Sequence, residues 1–546
     1  MGTIQIKVHQ ALAKALKRLG ADTMFGLIGD ANLYMADAFA RECGGRYVAA
    51  ANEAGAVLMA LGYAQVSGRT GVATVTHGPG LTNSLTALIE GVKNSVPVVL
   101  LVGDTPIEDR DHQQKALQRE FITATGAGFE QLRSAATVSD DVARAFRRAA
   151  LERRPVALNM PSDLQWLDAE DRAFELYLPD ARRGVIEGPE MDKAIGIIAS
   201  ARRPVVLGGR GAFDHEAEAA IIRLADRMEA PLSTTLLGKG LFASHPFNLG
   251  VFGTLSNAVA AEAIAESDCV IAFGASLNRF TTDSNRLLKG KRVIHVSHER
   301  EHVGRYLTPD AGLVGDVVLT ADAMTRWLDE AEIPGSGAAS DDLRQKVATF
   351  RPPAKVPGER RRGTVDMRQA LQRLDAALPV DRVFATDAGR YVFETWPLIK
   401  VARPRSFVFT ASYASIGLGM GQAIGASIAA PEKPTLLVCG DGGFMLGCLT
   451  EFATAVRARC DLVVIILNDG SYGAEHIQFR RKGRDPQLSL IDWPDFAPLA
   501  EALGGVGVTV RDEDALESAA LATEHRDRSR PLLIDVKLDP DCIPLP

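Results

Sequence analysis

Cysteine is scarce in this 546-residue sequence, and none of its six cysteines lies in a C-x-x-C pair. This spacing disfavours a zinc site and a disulfide framework, and we expect buried or free thiols in a reducing cytosol. No stretch approaches the roughly 18 apolar residues of a transmembrane helix, so we expect no membrane span. The amino-terminal segment lacks a long apolar core and a small-residue cleavage site. We therefore expect no signal peptide and a cytoplasmic location.

An excess of basic charge is also missing. Lysine and arginine number 61 against 68 aspartates and glutamates, which leaves a net charge of −7. Proteins that bind nucleic acid usually present a basic face, so we predict no nucleic-acid partner. Hydrophobic residues make up 46% and charged residues 24% of the chain, the balance of an ordinary globular protein.

The sequence repeatedly alternates a helical pattern with a short apolar run. The pattern VHQALAKALKRLG precedes TMFGLIG, and AGAVLMALGYAQVSG precedes TGVATVTHG. Apolar runs of this length, separated by helices, are typical of parallel strands that are buried on both faces. The sequence therefore predicts an α/β fold built from doubly wound parallel sheets.

The alternation is interrupted twice by segments rich in proline, glycine and charge, as domain linkers are. It resumes at MDKAIGIIASARRPVVLGGRGAF and again at TVDMRQALQRLDAALPVDRVFATDAG. These interruptions predict three α/β domains at residues 1–165, 185–335 and 365–546. The first and third domains end alike, in RRPVALNMPSD and SRPLLIDVKLDP, which hints at a duplicated scaffold.

The strongest motif lies in the third predicted domain, where GDGG follows the apolar run TLLVC and NDG follows the run VVIIL. One predicted helix separates the two runs, so Asp441 and Asn468 are expected at the carboxyl ends of adjacent parallel strands, where α/β sheets bind ligands. Magnesium prefers oxygen ligands and phosphate oxygens, and the backbone carbonyl of Gly470 offers a third oxygen. Gly440, Gly442 and Gly443 allow close approach of a diphosphate to a helix N-terminus.

This GDG…N motif resembles the diphosphate-and-magnesium motif of thiamine-diphosphate-dependent enzymes, and the remaining motifs resemble the acetolactate synthase group. IGDANLYMADAF and the stretch from AANEAGA to LTALIEG resemble the pyrimidine-binding domain of that family. PVVLGGRGA, STTLLGKG and VIAFGAS resemble its central domain, and TDAGRYVF, SIGLGMGQAIGA and LNDGSYG its diphosphate-binding domain. The likeness covers nearly the whole chain and keeps the domain order of the family.

The resemblance assigns roles to individual residues. Glu53 matches the glutamate that hydrogen-bonds the aminopyrimidine ring and promotes proton removal from thiazolium C2, and Ile416 matches the apolar side chain beneath the two rings. The metal ligands would be Asp441, Asn468 and Gly470. Cofactor contacts are implied for Gly29, Asn83, Asp387, Gly389, Ser415, Ile416, Gly440, Gly442, Gly443, Ser471 and Tyr472. The family places Glu53 and the metal motif on different chains, so the resemblance implies a homodimer or homotetramer with sites at the subunit interface.

The substrate side is less well defined. His77 in THGPG is expected near the reacting carbon as a general acid or base, with a structural histidine as the alternative. Gln118 and Gln113 are the candidates for a substrate-facing glutamine. Two features of acetolactate synthases are missing, namely a Thr-Lys pair after that glutamine and a Trp after the metal asparagine. Specificity for two pyruvates is therefore not implied.

The predicted activity is decarboxylation and carboligation of 2-oxo acids with thiamine diphosphate and Mg²⁺. A same-cofactor alternative is a lyase or hydrolase that cleaves acyloins or 1,2-diketones in ketone substrates. The central-domain segments 208–212, 234–240 and 250–254 resemble flavin-contacting loops, so FAD binding and an FAD-dependent oxidoreductase stay open. A catalytically inactive homologue is disfavoured, because Glu53, Asp441 and Asn468 are all present.

Overall fold

The computed structural model describes residues 5–178, 184 and 187–543, so part of the first predicted linker lies outside the described residues. It contains three six-stranded sheets with flanking helices, and the strands within each sheet run parallel. The predicted fold class is therefore confirmed. Central strands such as Leu462–Asn468 are buried along their whole length, which explains why they read as continuous apolar runs.

The first domain carries the sheet of order β3-β2-β4-β5-β7-β6. A two-stranded antiparallel ladder joins β1 to β8, which lies past residue 165. The strands are β1 Gln5–Lys7, β2 Thr23–Gly26, β3 Arg46–Ala49, β4 Gly71–Val75, β5 Val98–Asp104, β6 Gly128–Gln131, β7 Val156–Pro161 and β8 Asp168–Glu170. The helices are α1 Val8–Arg18, α2 Leu33–Asp37, α3 Glu53–Ser67, α4 Pro79–Thr82, α5 Leu85–Lys93, α6 Gln118–Ala124 and α7 Val138–Glu152.

The central domain has the sheet order β11-β10-β9-β12-β13-β14, the doubly wound order in which the chain reverses direction beside its first strand. Its strands are β9 Pro204–Gly208, β10 Leu232–Thr234, β11 Asn248–Val251, β12 Cys269–Phe273, β13 Arg292–Ser297 and β14 Ala311–Val314. Its helices are α8 Pro189–Ser200, α9 His215–Met228, α10 Ala258–Glu266, α11 Val317–Glu330 and α12 Asp341–Thr349.

The third domain has the order β16-β15-β17-β18-β20-β19, which repeats the arrangement of the first domain strand for strand. This agreement supports the duplicated scaffold that the two similar domain ends hint at. The strands are β15 Val383–Thr386, β16 Phe407–Val408, β17 Thr435–Gly440, β18 Leu462–Asn468, β19 Val506–Val510 and β20 Leu532–Lys537. The helices are α13 Met367–Ala376, α14 Val392–Leu398, α15 Gly419–Ala429, α16 Asp441–Gly443, α17 Leu449–Arg457, α18 Gly473–Arg481, α19 Phe496–Ala502 and α20 Glu513–Glu524.

The described residues form two compact units, one with the first and third domains and one with the central domain and residues 393–407. Within the first unit, α3 and α15 pack with their backbones in contact. A Cβ added to Gly62 would lie 1.9 Å from the carbonyl oxygen of Gln422, and one added to Gly425 would lie 1.8 Å from that of Met59. These glycines let the two domains share one hydrophobic core.

The structure bears on two expectations drawn from what the sequence lacks. All six cysteines are free thiols, four of them buried. Among the residues described, no helix is both long enough and apolar enough to cross a bilayer.

Candidate active site

Asp441 begins the helical segment that follows β17, and its side chain is almost fully buried. Its Oδ1 accepts a hydrogen bond of 2.9 Å from the backbone N–H of Gly442. Its Oδ2 has no hydrogen-bond partner in the part of the chain that the structure describes. Burial, followed by repulsion from Asp469, raises the pKa of Asp441 to about 7, while the backbone N–H groups of Gly442, Gly470 and Ser471 act to lower it. A buried carboxylate with a vacant acceptor is costly by itself, and a bound cation would relieve that cost.

Asn468 lies directly beside Asp441, because Gly440 pairs with Leu467 in the parallel ladder between β17 and β18. The predicted meeting of the two strand ends is therefore seen in the fold. The Asn468 amide nitrogen donates 2.9 Å to Oδ1 of Asp535, a fully buried residue of β20. Because its nitrogen is committed to Asp535, the amide oxygen of Asn468 remains available as a ligand.

Asp535 therefore controls which end of the Asn468 amide is available as a ligand. Its Oδ2 also accepts from the Phe496 backbone N–H at 2.9 Å and pairs with Lys537 at 2.8 Å. If magnesium binds at Asp441 and Asn468, Asp535→Asn should lower its affinity about 10- to 100-fold, because loss of an outer-sphere partner misorients the ligand. Titration of Mg²⁺ against cofactor binding measures this. Asp461→Asn is the control, since Asp461 is a buried carboxylate of the same domain that binds Arg526 and Arg528 instead.

The loop after β18 lies over the start of the GDGG segment. Gly470 has a φ of +64°, in the left-handed region that favours glycine, and its carbonyl oxygen accepts from the Ile491 N–H at 2.8 Å. That bond uses one of two lone pairs, and the other remains for a metal ion. The Tyr472 ring lies over Gly442, where an added Cβ would come within 2.9 Å of it. Ser471 donates to Asp469 at 2.7 Å, which leaves its own hydroxyl oxygen as an acceptor.

Asp387 connects the end of β15 to the segment that carries Ile416. Its carboxylate is fully buried and accepts from the Gly417 N–H at 2.6 Å and the Leu418 N–H at 3.0 Å. Burial raises the pKa of Asp387 to about 6, while these N–H groups act to lower it. Gly443 leaves room for this carboxylate, since a Cβ there would lie 2.2 Å from Oδ2. Asp387 thus fixes the backbone of the two residues that follow the half-buried Ile416.

The remaining residues predicted to contact the cofactor in the third domain have local contacts of their own. Gly389 and Gly440 lie beside the buried ring of Tyr391. A Cβ added to Gly389 would lie 2.5 Å from that ring, and one added to Gly440 would lie 3.2 Å from it. Ser415 donates through Oγ to the Ile416 carbonyl at 3.2 Å.

Glu53 is the first residue of α3, and its side chain is half-buried. Asn52 caps the helix by accepting from the Ala54 N–H at 2.8 Å. The Asn83 amide donates to Oε2 of Glu53 at 3.1 Å, so Asn83 orients the carboxylate. Among the described residues, Asn83 and Oε2 form the hydrogen bond of the Glu53 carboxylate, and Oε1 is left to meet a ligand.

His77 follows β4 and is buried, with no hydrogen-bond partner for its Nδ1 among the described residues. Burial and the neighbouring His112, whose ring centroid lies 5.0 Å away, lower the pKa of His77, so the imidazole is neutral at pH 7. Thr76, the residue before His77, packs against Gly29. A Cβ added to Gly29 would lie 2.7 Å from the Cβ of Thr76. Gly29 and Thr76 therefore lie together at the carboxyl edge of the first sheet.

The two candidate glutamines differ. Gln118 is buried, and its amide oxygen accepts from the Gly78 N–H at 2.7 Å. Its amide nitrogen donates to the Gly103 carbonyl at 3.0 Å and to Asn159 at 2.6 Å. These bonds make Gln118 a support for the backbone beside His77. Gln113 is exposed on the loop before α6.

Three family models match the chain in the order of its domains. The thiamine pyrophosphate enzyme N-terminal TPP binding domain matches residues 6–126, the central domain matches residues 191–324, and the C-terminal TPP binding domain matches residues 387–536. The chain belongs to the thiamine pyrophosphate enzyme family. It is a thiamine-diphosphate-dependent transferase or lyase of the acetolactate synthase-like group, and the resemblance stated from its motifs is confirmed.

Relatives of this thiamine pyrophosphate enzyme carry several different activities in their names. It is 31% identical to a probable 2-ketoarginine decarboxylase of Pseudomonas aeruginosa, over 93% of this chain and 90% of that protein. It is 28% identical to a probable acetolactate synthase large subunit of Methanocaldococcus jannaschii, over 98% and 92%. It is also 28% identical to a sulfoacetaldehyde acetyltransferase of Castellaniella defragrans, over 94% and 90%.

The donor set of this thiamine pyrophosphate enzyme fits a magnesium–diphosphate group. Asp441 offers one vacant carboxylate oxygen and Asn468 one oriented amide oxygen. Among the described residues no three His, Cys, Asp or Glu side chains are arranged to hold a metal ion. A site of one carboxylate, one amide and a carbonyl would leave the remaining positions to phosphate and water, as magnesium prefers.

The central-domain glycines have a structural explanation. The loop after β9 lies where the strand order reverses, a usual place for a ligand. However, a Cβ on Gly209 would lie 2.4 Å from the carbonyl oxygen of Gly274, and a Cβ on Gly211 would lie 2.7 Å from the Cα of Gly274. A Cβ on Gly238 would lie 2.7 Å from the Gly208 carbonyl oxygen. These loops need glycine to pack against each other, so the pattern does not by itself require a flavin.

Three buried carboxylates near the site carry no role in the sequence analysis, namely Asp535, Glu90 and Glu451. Each lies within a mainly apolar stretch that carries no other charge, in LLIDV, TALIEG and LTEFAT. A charge at a position that helical or strand periodicity assigns to the core is the signal that could have found them.

Proposed function

We propose that this enzyme decarboxylates a 2-oxo acid and joins the remaining acyl unit to a second carbonyl or to a proton, with thiamine diphosphate and Mg²⁺. The observation that carries the proposal is the vacant Oδ2 of Asp441 beside the oriented amide of Asn468. This pair suits a magnesium-bound diphosphate at the carboxyl edge of the sheet. The names of the acetolactate synthase and 2-ketoarginine decarboxylase relatives support a 2-oxo acid donor.

The residues would divide the work as follows. Asp441, Asn468 and the Gly470 carbonyl would hold the metal, and the glycines after β17 would admit the diphosphate. Glu53, oriented by Asn83, would exchange a proton with the aminopyrimidine ring, and Ile416 would support the rings from below. When bound, the cofactor supplies a nucleophilic carbon and an electron sink for the carbanion left after CO₂ loss.

A substrate screen with added thiamine diphosphate and Mg²⁺ tests the proposal. Pyruvate, longer 2-oxo acids, acyloins and cyclic 1,2-diketones would be tested separately and in pairs, with CO₂ release and products followed by mass spectrometry. We expect CO₂ from at least one 2-oxo acid and none from the Glu53→Gln variant. Cleavage of acyloins or diketones without CO₂ from any 2-oxo acid would contradict the proposal and favour the second candidate.

The second candidate is a lyase or hydrolase of acyloins or 1,2-diketones with the same cofactor. It is favoured by His77, a buried neutral imidazole with a vacant Nδ1. Such a ring can take the hydroxyl proton of an acyloin or direct water to a carbonyl.

His77→Ala separates this role from a structural one. If His77 acts on the substrate, kcat/KM for the preferred substrate should fall about 10²- to 10⁴-fold, the usual contribution of a general acid or base. Hydrogen exchange at C2 of the bound cofactor should stay near the wild-type rate. His295→Ala is the matched control, because His295 is another buried histidine with a lowered pKa, in the central domain. Equal activity of both variants on every substrate would make His77 structural.

We further propose a homodimer or homotetramer in which each site combines Glu53 of one chain with Asp441 of another. The half-buried Glu53 and the exposed apolar side chains Leu446 and Tyr472 near the metal site suit a second protein surface.

Flavin stays outside the proposal, because the central glycines are explained by their own packing. A flavin absorption spectrum in purified protein would restore the FAD-dependent alternative, whereas colourless protein that takes up no added FAD would exclude it.

A further inference from the structure

Two buried carboxylates connect the first and third domains through equivalent contacts. One reaches from the third domain to a loop of the first, and the other reaches from the first domain to a loop of the third. Glu451 in α17 accepts from the backbone N–H groups of Ala51 at 3.1 Å and Asn52 at 2.9 Å. Glu90 in α5 accepts from the N–H groups of Ser412 at 3.1 Å and Tyr413 at 2.7 Å. Helices α5 and α17 follow equivalent strands, β4 and β17, of the two matching sheets. The two contacts are therefore related by the internal duplication.

A second side chain on each helix completes the contact. Arg457 of α17 donates to the Ala49 carbonyl at 3.0 Å, and Asn94, just after α5, donates to the Phe409 carbonyl at 2.7 Å. Each helix thus binds both N–H and C=O groups of one short loop in the other domain. Gly55 makes room for this on one side, since a Cβ there would lie 1.9 Å from Oε1 of Glu451.

The two bound loops lead directly to predicted cofactor contacts. Residues 49–53, here called the Glu53 segment, end at Glu53. Residues 409–416, the Ile416 segment, end at Ile416. Burial raises the pKa of both Glu90 and Glu451, so each carboxylate is held at a cost in desolvation. An apolar side chain at either position would leave the backbone N–H groups of the bound loop without an acceptor, so each carboxylate fixes the conformation of the loop it binds.

We propose that Glu451 and Glu90 are positioning residues, with Glu451 setting the Glu53 segment and Glu90 setting the Ile416 segment of the opposite cofactor-binding domain. This inference rests on the proposed function, because it uses the roles proposed for Glu53 and Ile416. Each oxygen of Glu90 accepts from a different N–H group, so the amide NH₂ of Glu90→Gln must face one of these donors and displace its loop. In Glu451→Gln the NH₂ takes the place of Oε2 and faces the Ala51 N–H, which lies 3.2 Å away, so the Glu53 segment must shift.

Amide hydrogen exchange of the cofactor-free protein is the first measurement. Glu451→Gln should speed exchange in the Glu53 segment and leave the Ile416 segment at the wild-type rate, and Glu90→Gln should do the reverse. Asp366→Asn is the control, since Asp366 is a buried carboxylate of the third domain that accepts from the N–H groups of Val356 and Gln369, both close to it along the chain. Equal acceleration in both segments by each variant, or none, would overturn the proposal.

The second measurement is hydrogen exchange at C2 of bound thiamine diphosphate. Glu451→Gln should slow it about 10²-fold, because a catalytic group displaced by roughly 1 Å loses that much. Gly55→Ala should reproduce the effect by pushing the carboxylate away, and Glu451→Asp, which keeps the charge, should recover part of the rate. If Glu451→Gln does not fold, C2 exchange in Gly55→Ala and Glu451→Asp tests the positioning role of Glu451 instead. Wild-type C2 exchange in both Glu451→Gln and Gly55→Ala would overturn the positioning role.

The wild-type protein and Glu53→Gln separate this failure from failure of the proposed function. If wild-type protein promotes C2 exchange and Glu53→Gln does not, the proposed function stands whatever the Glu451 variants show. If neither promotes exchange, the proposed function fails. The segment-specific amide exchange then still decides whether the two carboxylates hold their loops.

Discussion

Replacing Glu53 by Gln is expected to slow C2 hydrogen exchange of bound thiamine diphosphate by about 10²- to 10⁴-fold, the range of general acid–base contributions. The Asn83 amide donates to Oε2 of Glu53, so the carboxylate is held at the start of α3 with its other oxygen available. A Gln side chain keeps the size but cannot share a proton with the aminopyrimidine ring. Exchange is measured by acid quenching and NMR of the C2 proton.

Cofactor affinity should change little in this variant, because the proposed diphosphate contacts lie in the third domain. Glu42→Gln is the matched control, as Glu42 is an exposed glutamate of the same domain that accepts from Gln10. Glu42→Gln should exchange at the wild-type rate. A Glu53→Gln enzyme that does so too would remove Glu53 from the mechanism.

The second large effect is expected for Asp441→Ala, which should weaken cofactor retention by more than about 100-fold, beyond the loss typical of outer-sphere changes. The change removes the buried carboxylate whose Oδ2 is vacant and leaves Asn468 alone at the strand ends. Equilibrium dialysis at several Mg²⁺ concentrations measures the loss, which should abolish the magnesium dependence as well. Normal retention would place the metal site elsewhere.

Mixing the two inactive variants tests whether sites are shared between chains. In a hybrid dimer of Glu53→Gln and Asp441→Ala chains, one shared site would have both residues intact. In an equal mixture, random exchange of chains makes about half of the dimers hybrids, and each hybrid has one intact site of two. About a quarter of all sites should therefore be intact, if the dimer is symmetric and each site is formed by both chains. No recovery in chains shown to exchange would mean that Glu53 and Asp441 of one chain serve the same site.

Much of the fold and part of the site are predictable from the chain itself. Apolar runs with helices between them predict parallel sheets, and the duplicated domain ends agree with the repeated strand order. The interval between Asp441 and Asn468 predicts their meeting, because one helix returns the chain to the adjacent strand. The family resemblance supplies Glu53 and Ile416, whose roles stay predictions.

The orientation of groups at the site is not predictable in this way. Gln118 is expected to face substrate, yet the fold commits its amide to Gly78, Gly103 and Asn159. The free oxygen of Asn468 depends on Asp535, 67 residues away along the chain.

The sequence by itself determined the three α/β domains, their order and the residue types of the proposed metal–diphosphate site. These follow from local periodicity, since backbone hydrogen bonding sets the repeats of 3.6 and 2 residues within each element. Only the tertiary structure decided that Glu451 meets Asn52, 399 residues away, and that Glu90 meets Ser412, 322 residues away. Such pairs arise when two separately formed sheets pack through α3 and α15, and no local pattern encodes which buried carboxylate then faces which loop.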